Sequence, residues 1–178
     1  MQRIKSFFKN PFVKTLLTYI IIIGGVVSIR VFFIDPVRVD GSSMNTTLAN
    51  GEIMILNKFI YKKNDIKRFD IVVIDEGDKH IIKRVIGLPG ETLEYKNNKL
   101  YINGEEMDDP YPSTETDDFN ITDIGHVKIP GNTYFVMGDN RANSLDSRYP
   151  SVGVVKKNLI IGRAKLVIWP FNKFGNVK

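Results

Sequence analysis

Residues 79–90 read KHIIKRVIGLPG, and this stretch decides between sheet and helix. Four β-branched residues crowd into its first eight positions, and it stops at a Pro-Gly turn, which is the composition and punctuation of a strand. Successive side chains of a strand point to opposite faces, so His80, Ile82, Arg84 and Ile86 share one face and Ile81, Lys83 and Val85 the other. His80 and Lys83 therefore cannot both face one partner from a regular strand. Lys83 lies between two aliphatic neighbours on its own face, an environment that penalises an ammonium ion. A lysine whose ordinary pKa is about 10.4 must lose about two to three units to act as a base near neutral pH, and apolar burial can supply that. A surface lysine on the polar side of a half-exposed strand fits the same periodicity, so both readings stand at this point.

The same pattern recurs on either side. VRVDG (37–41), EIMILNKF (52–59), DIVVID (70–75), LYINGEE (100–106), TYFVMGDN (133–140) and LIIGRAKLVIWPF (159–171) are short runs rich in β-branched and aromatic residues, broken by turn residues. The fold class is mainly β with few helices, and Asn103-Gly104 marks a tight hairpin. Residues 105–118, EEMDDPYPSTETDD, carry seven acids, no base and two prolines. They are expected in an exposed inserted segment, about 103–132, as a solvated acidic face, since the spacing is not that of a calcium loop.

The 178 residues suffice for one main domain. Five of the 25 basic residues (Arg3, Lys5, Lys9, Lys14 and Arg30) precede Asp35 with no acid among them, leaving 20 bases to face 20 acids in the rest. A neutral body argues against a nucleic-acid-binding face. The excess positive charge sits on a basic segment, 1–11, ahead of an apolar run, 12–34, which as a helix reaches about 34 Å and spans a hydrocarbon core of about 30 Å. Basic residues before the span predict a cytoplasmic N-terminus and an extracytoplasmic domain at 35–178. A secretory signal cleaved to leave Ile29 as N-terminus is the alternative. The chain has no cysteine, so an extracytoplasmic domain must rely on its core.

Two polar stretches carry chemistry. GSSMNTTL (41–48) offers Ser42, Ser43, Thr46 and Thr47 as hydroxyl nucleophiles, and MGDNRANSLDSR (137–148) gathers Asp139, Asp146, Arg148 and Ser144. The base for such a hydroxyl is Lys83 or one of the two histidines, His80 and His126; the latter sits in a Gly- and Pro-flanked loop with no nearby partner in the sequence.

In order, VDGSSMNTTL, RFDIVVI, IKRVIGLPGE, YFVMGDNRANSLDSR and IIGRAKLVIWPF resemble the type I signal peptidases, in their short Gram-positive-like form with a single N-terminal anchor. The resemblance covers nearly the whole chain and is weakest in the acidic segment. It implies a signal-peptidase-like β-barrel or sheet catalytic domain after one transmembrane helix. It also implies a membrane-bound serine endopeptidase that cuts secretory preproteins after a small residue, with no metal, cofactor or nucleic acid. The family's nucleophile matches Ser43 and its general base Lys83, with Ser144 orienting the lysine. Asp139, Asp146, Arg148 and Arg84 are expected to form an ion-paired scaffold, and the backbone N–H of Ser43 to help hold the oxyanion. Gly41 stands where one branch of the family has a serine that adds a second donor. Met44, Ile53, Ile55 and Ile81 are expected to shape the pocket for small substrate residues, and Phe32, Phe33 and Trp169 to be buried or in contact with lipid. The chain departs from the family at Thr46, where proline is usual, which is expected to loosen the turn by roughly 0.4 to 1 kcal/mol. A non-cutting binder of preproteins is the reading this departure motivates. A self-cleaving Ser-Lys peptidase of the phage-repressor kind shares the dyad but carries a DNA-binding domain where this chain has its apolar run.

Overall fold

The structure is a computed structural model that describes residues 11–32, 34–111 and 114–177. The basic residues Arg3, Lys5 and Lys9, and the aromatic Phe33, lie outside the described residues.

Helix α1, Pro11–Phe32, is the apolar run. Proline opens it at the position where a missing N–H is harmless. Its length of about 33 Å, and the hydropathy of Pro11–Ser28, are those of a membrane span, and none of that window is buried against the rest of the chain. The hydroxyls of Thr15, Thr18 and Ser28 each donate to the carbonyl one turn back, at 3.0, 2.9 and 2.7 Å, so these three hydroxyls do not need water. The helix ends at Phe32, and strand β1, Ile34–Arg38, begins almost at once. The last residue of the expected span therefore belongs to the sheet.

Beyond α1 the chain is antiparallel sheet. After β1 come β2 (Ile53–Asn57), a short helix α2 (Ile60–Lys63), β3 (Ile71–Asp75), β4 (His80–Gly87), β5 (Leu93–Lys96), β6 (Lys99–Ile102), β7 (Glu105–Met107) and β8 (Phe119–Asn120). They are followed by β9 (Thr133–Met137), β10 (Val155–Lys156), β11 (Ile160–Trp169) and β12 (Gly175–Asn176). The large sheet has the order β1-β2-β11-β3-β4-β9-β10, with β12 also paired to β11. Among the described residues its ends, β1 and β10, do not pair, so the architecture is an open sheet rather than a closed barrel. Pro36 is tolerated because β1 is an edge strand.

The second sheet, β7-β6-β5-β8, is built wholly between β4 and β9. The inserted segment therefore starts at Leu93 or earlier, not near residue 103, and the acidic stretch is partly strand. Its core of Leu93, Tyr95, Leu100, Ile102, Phe119 and Ile121 joins Ile86, Phe135 and Met137 of the large sheet. Strand β4 is central and covered on both faces: Ile82 packs with Val39, Met44, Leu48 and Met54, while Val85, with Ile81 against it, belongs to the cluster of Val72, Ile74 and Val136. Of the two readings of this strand, the half-exposed one is excluded. Trp169 is 48 % exposed and meets Phe171 edge-on at 5.0 Å, so it is a surface aromatic.

Strand β11 crosses the sheet between β2 and β3, with register shifts against both. At Gly162 its backbone comes so close to β2 that a Cβ would collide with the Asn57 carbonyl oxygen. That atom is main chain and cannot swing away. Gly162→Ala is therefore expected to destabilise the domain by about 1–3 kcal/mol, read as a lower urea midpoint at unchanged m-value.

Candidate active site

The turn between β1 and β2 is pinned from below. Met44 and Leu48 are both buried in the cluster that holds Ile82, and Leu48 N–H donates to the Met44 carbonyl at 2.8 Å. From the side, the Thr47 hydroxyl donates to Asp139 at 2.5 Å. The turn that carries Thr46 in place of proline is thus held by two buried side chains and a hydrogen bond to a buried carboxylate.

The two adjacent serines differ in their surroundings. The Ser42 hydroxyl accepts from Asn143 Nδ2 at 2.9 Å and the Ser42 carbonyl from Asn140 Nδ2 at 3.1 Å. The Ser43 carbonyl accepts from Asn140 N–H at 2.9 Å, but the Ser43 hydroxyl and backbone N–H have no partner among the described residues. Ser43 also lines a cleft of about 580 Å³, and Ser42 does not. The neighbouring amide of Gly41 is already used, donating to Asn50 Oδ1 at 3.0 Å.

Lys83 opens onto the same cleft yet is only 4 % exposed. A hydrogen bond of 2.9 Å joins its amine to Ser144 Oγ. Burial pushes its pKa down from the ordinary lysine value, opposed first by the negative charge of Asp146. Ser43 and Lys83 share the cleft without a hydrogen bond between them among the described residues. The cleft is bounded by residues 35–41 on one side and 79–83 on the other, and Met44 and Ile81 line it. Ile53 and Ile55 do not, because alternation along β2 turns Met54 and Leu56 into the core and the two isoleucines to the opposite face. His80 is an exposed rim residue, its Nε2 3.9 Å from Asp75, and His126 is not at the cleft.

Both walls of the cleft are strand edges. β1 pairs only with β2, and residues 80–83 pair with β3 on one side while β9 joins β4 only from Arg84 onward. An extended peptide laid between them meets main-chain donors and acceptors on both sides.

Behind the cleft, ion pairs fix the loop that follows β9. Arg84 holds Asp139 through two bonds, at 2.8 and 2.7 Å, and Arg148 holds Asp146 through two more, at 2.9 and 3.0 Å. Gly138 lies at the centre. Its N–H donates to Asp146 at 3.1 Å, its carbonyl accepts from Arg141 Nε at 3.0 Å, and a Cβ there would collide with both Ser144 Oγ and the Ser43 carbonyl oxygen. Arg141 is a residue the sequence reading passed over. It is buried and pairs with Asp109 at 2.8 Å. The acidic segment is therefore not wholly a solvated face: Asp109 enters the core.

Residues 12–169 match the family described as signal peptidase, peptidase S26. The chain belongs to that family. It is 46 % identical over 152 residues to signal peptidase I S of Bacillus subtilis (strain 168), covering 82 % of each chain. With a signal peptidase I of Bacillus licheniformis it is 40 % identical over 173 residues, covering 93 % of this chain and 92 % of the other. A crystal structure of a signal peptidase I from Enterococcus faecalis V583 superposes with a TM-score of 0.50 at 36 % identity, over 56 % of this chain and 97 % of that one. Being a signal peptidase, the chain is a serine peptidase by class.

Removing one partner of a buried ion pair leaves an uncompensated charge. Arg84→Met, which strands Asp139, is expected to destabilise this signal peptidase by about 3–5 kcal/mol in urea unfolding, more than the double variant that also replaces Asp139 with leucine.

Proposed function

We propose that this signal peptidase removes N-terminal signal peptides from secreted preproteins by acyl transfer, with Ser43 as nucleophile and Lys83 as general base. The observation that carries this is a desolvated primary amine, bonded to Ser144, opening onto the cleft where the Ser43 hydroxyl stands unpartnered. Neutral Lys83 takes the Ser43 proton as Oγ attacks the scissile carbonyl carbon. The resulting lysinium then protonates the departing amine, and a water, deprotonated by the same amine, hydrolyses the ester. The Ser43 N–H, free of internal acceptors, is placed to stabilise the oxyanion, a contribution typically worth about 3–4 kcal/mol. Substrate selection is assigned to the cleft walls: an extended segment places alternate side chains toward the apolar lining of Met44 and Ile81. α1 serves as a single-pass anchor with the basic segment in the cytoplasm and the domain outside, on the same bilayer as the preprotein.

The buried amine dictates the pH response. Its lowered pKa means that it is protonated below that value and neutral above, so the rate on a signal-peptide substrate is expected to rise with pH along a single acidic limb below the ordinary lysine range. Ser43→Ala and Lys83→Ala are each expected to abolish cleavage; a variant that still cuts after the small residue would exclude the dyad.

Stability carries the same linkage with the opposite benefit. Folding obliges Lys83 to release a proton that the unfolded chain retains up to about pH 10.4, so the native state gains stability with pH until that value is passed. Lys83→Met is therefore expected to melt higher than wild type at pH 7, by about 2–4 °C for each kcal/mol of relieved penalty, with the difference narrowing as the pH approaches 10.

A further inference from the structure

Asp109 lies in the acidic stretch after β7, far along the chain from Ser43 and Lys83, yet it is the outer end of a continuous set of bonds that reaches both. Its side chain is 5 % exposed. One carboxylate oxygen, Oδ2, accepts from Arg141 Nη2 at 2.8 Å and from the Tyr95 hydroxyl at 2.5 Å. Arg141 is in turn gripped on every nitrogen: Nη1 donates to the Tyr95 oxygen at 2.8 Å and to Thr116 Oγ1 at 3.2 Å, and Nε donates to the Gly138 carbonyl at 3.0 Å. The Arg141 carbonyl accepts from Arg148 Nη2 at 2.7 Å, and Arg148 holds Asp146, which receives the Gly138 N–H. The Gly138 peptide is thereby fixed at both ends, with its Cα wedged between the Ser43 carbonyl and the Ser144 hydroxyl that touches Lys83.

We propose that Asp109 is a positioning residue for the serine–lysine pair, acting through Arg141 and Gly138. The reasoning is geometric. Arg84 and Arg148 each have a carboxylate from the loop that follows β9, whereas among the described residues the ion-pair partner of Arg141 is Asp109, from the small sheet's segment. Without Asp109 the guanidinium keeps its charge in a dry site and has reason to swing toward water, drawing Nε away from Gly138. Gly138 has no slack: movement there shifts Ser43 relative to Ser144, and a misplacement of about 1 Å at a catalytic centre lowers rates on the order of 10²-fold. Asp109 also has a ceiling on what it contributes by itself, because its second oxygen, Oδ1, is buried with no hydrogen-bond partner among the described residues. Its bonds serve Arg141 rather than a network of its own. The inference rests on the dyad proposed above.

The test uses the full chain in detergent or lipid with one signal-peptide substrate, comparing wild type, Lys83→Ala, Asp109→Asn, Asp109→Ala and Thr116→Val. Asp109→Asn keeps the shape and one acceptor but removes the charge. It is expected to lower kcat about 10- to 100-fold with KM changed less than about threefold, and to move the acidic limb to higher pH as the loosened site lets water reach Lys83. Thr116→Val, which removes one of the bonds to Arg141, is expected to shift both in the same direction by less. Should Asp109→Ala fail to fold, these two milder variants decide. A folded Asp109→Asn enzyme with wild-type kcat and an unmoved limb overturns the positioning role, as does a loss of activity matched entirely by loss of folded protein. Failure of the dyad itself shows separately, as cleavage surviving in Lys83→Ala.

Discussion

A primary amine is among the most strongly hydrated groups on a protein, and Lys83 has been taken out of water almost completely. Everything around it follows from making that tolerable. A central strand covered on both faces supplies aliphatic neighbours, Ile81 and Val85, on the lysine's own side, so no water layer forms along the stem. Among the described residues the amine has one short polar contact, Ser144, which aims it without adding a negative charge beside it. A carboxylate in that position would have restored the ammonium form and removed the base. Hydroxyl rather than carboxylate is what the lysine base proposed above requires.

The charges nearby obey the same constraint. Asp146 pulls the Lys83 pKa up and Arg148 pulls it down, and these two are bound to each other by a paired set of hydrogen bonds. The loop thus gains rigid, directional bonds while Arg148 offsets part of the pull of Asp146 on the lysine. Arg84 with Asp139 repeats the arrangement, and Arg141 holds Asp109 through one bond. Buried pairs of this kind add little net stability compared with well-packed apolar side chains, because desolvation offsets attraction. What they do supply is geometry, since a guanidinium fork accepts a carboxylate in one plane and at one distance. The Thr47 hydroxyl on Asp139 extends that geometry to the turn of Ser43.

Strand periodicity alone located β4 and separated His80 from Lys83, because alternation is a local property that survives folding. It could not say whether Lys83 was wet or dry. Covering of the second face comes from β3, β9 and residues distant in sequence, and only the match of several spaced motifs to a family supplied that information. Ile53 and Ile55 misled for a related reason: their strand was recognised, but which parity faces the core depends on its neighbours β1 and β11. Arg141 and Asp109 were legible in principle. The stretch from Met137 to Arg148 holds two arginines and two aspartates, and β4 adds Arg84, so three cations face two acids in a loop expected to be an ion-paired scaffold. The missing negative charge had to come from elsewhere, and the one acid-rich, base-free stretch of the chain was the place to look. Reading that stretch by its average composition hid the acid in it that turns inward to pair with Arg141.

The path from α1 to the cleft also has a mechanical meaning on the proposed topology. Helix gives way to β1 with one residue between, and β1 is itself a wall of the cleft. From Ile34 to Val39 an extended chain advances by about 3.3 Å per residue, which keeps the site within about 20 Å of the helix end. A signal peptide whose apolar segment remains in the same bilayer emerges by only a few extended residues before it meets the edges of β1 and β4. The anchor therefore sets the height of the cleft above the membrane, and the edge-strand position of β1 keeps that wall unpaired on the side where the substrate must bind. Insertions in the small sheet, which hangs between β4 and β9 on the other side of the catalytic loop, leave this height unchanged.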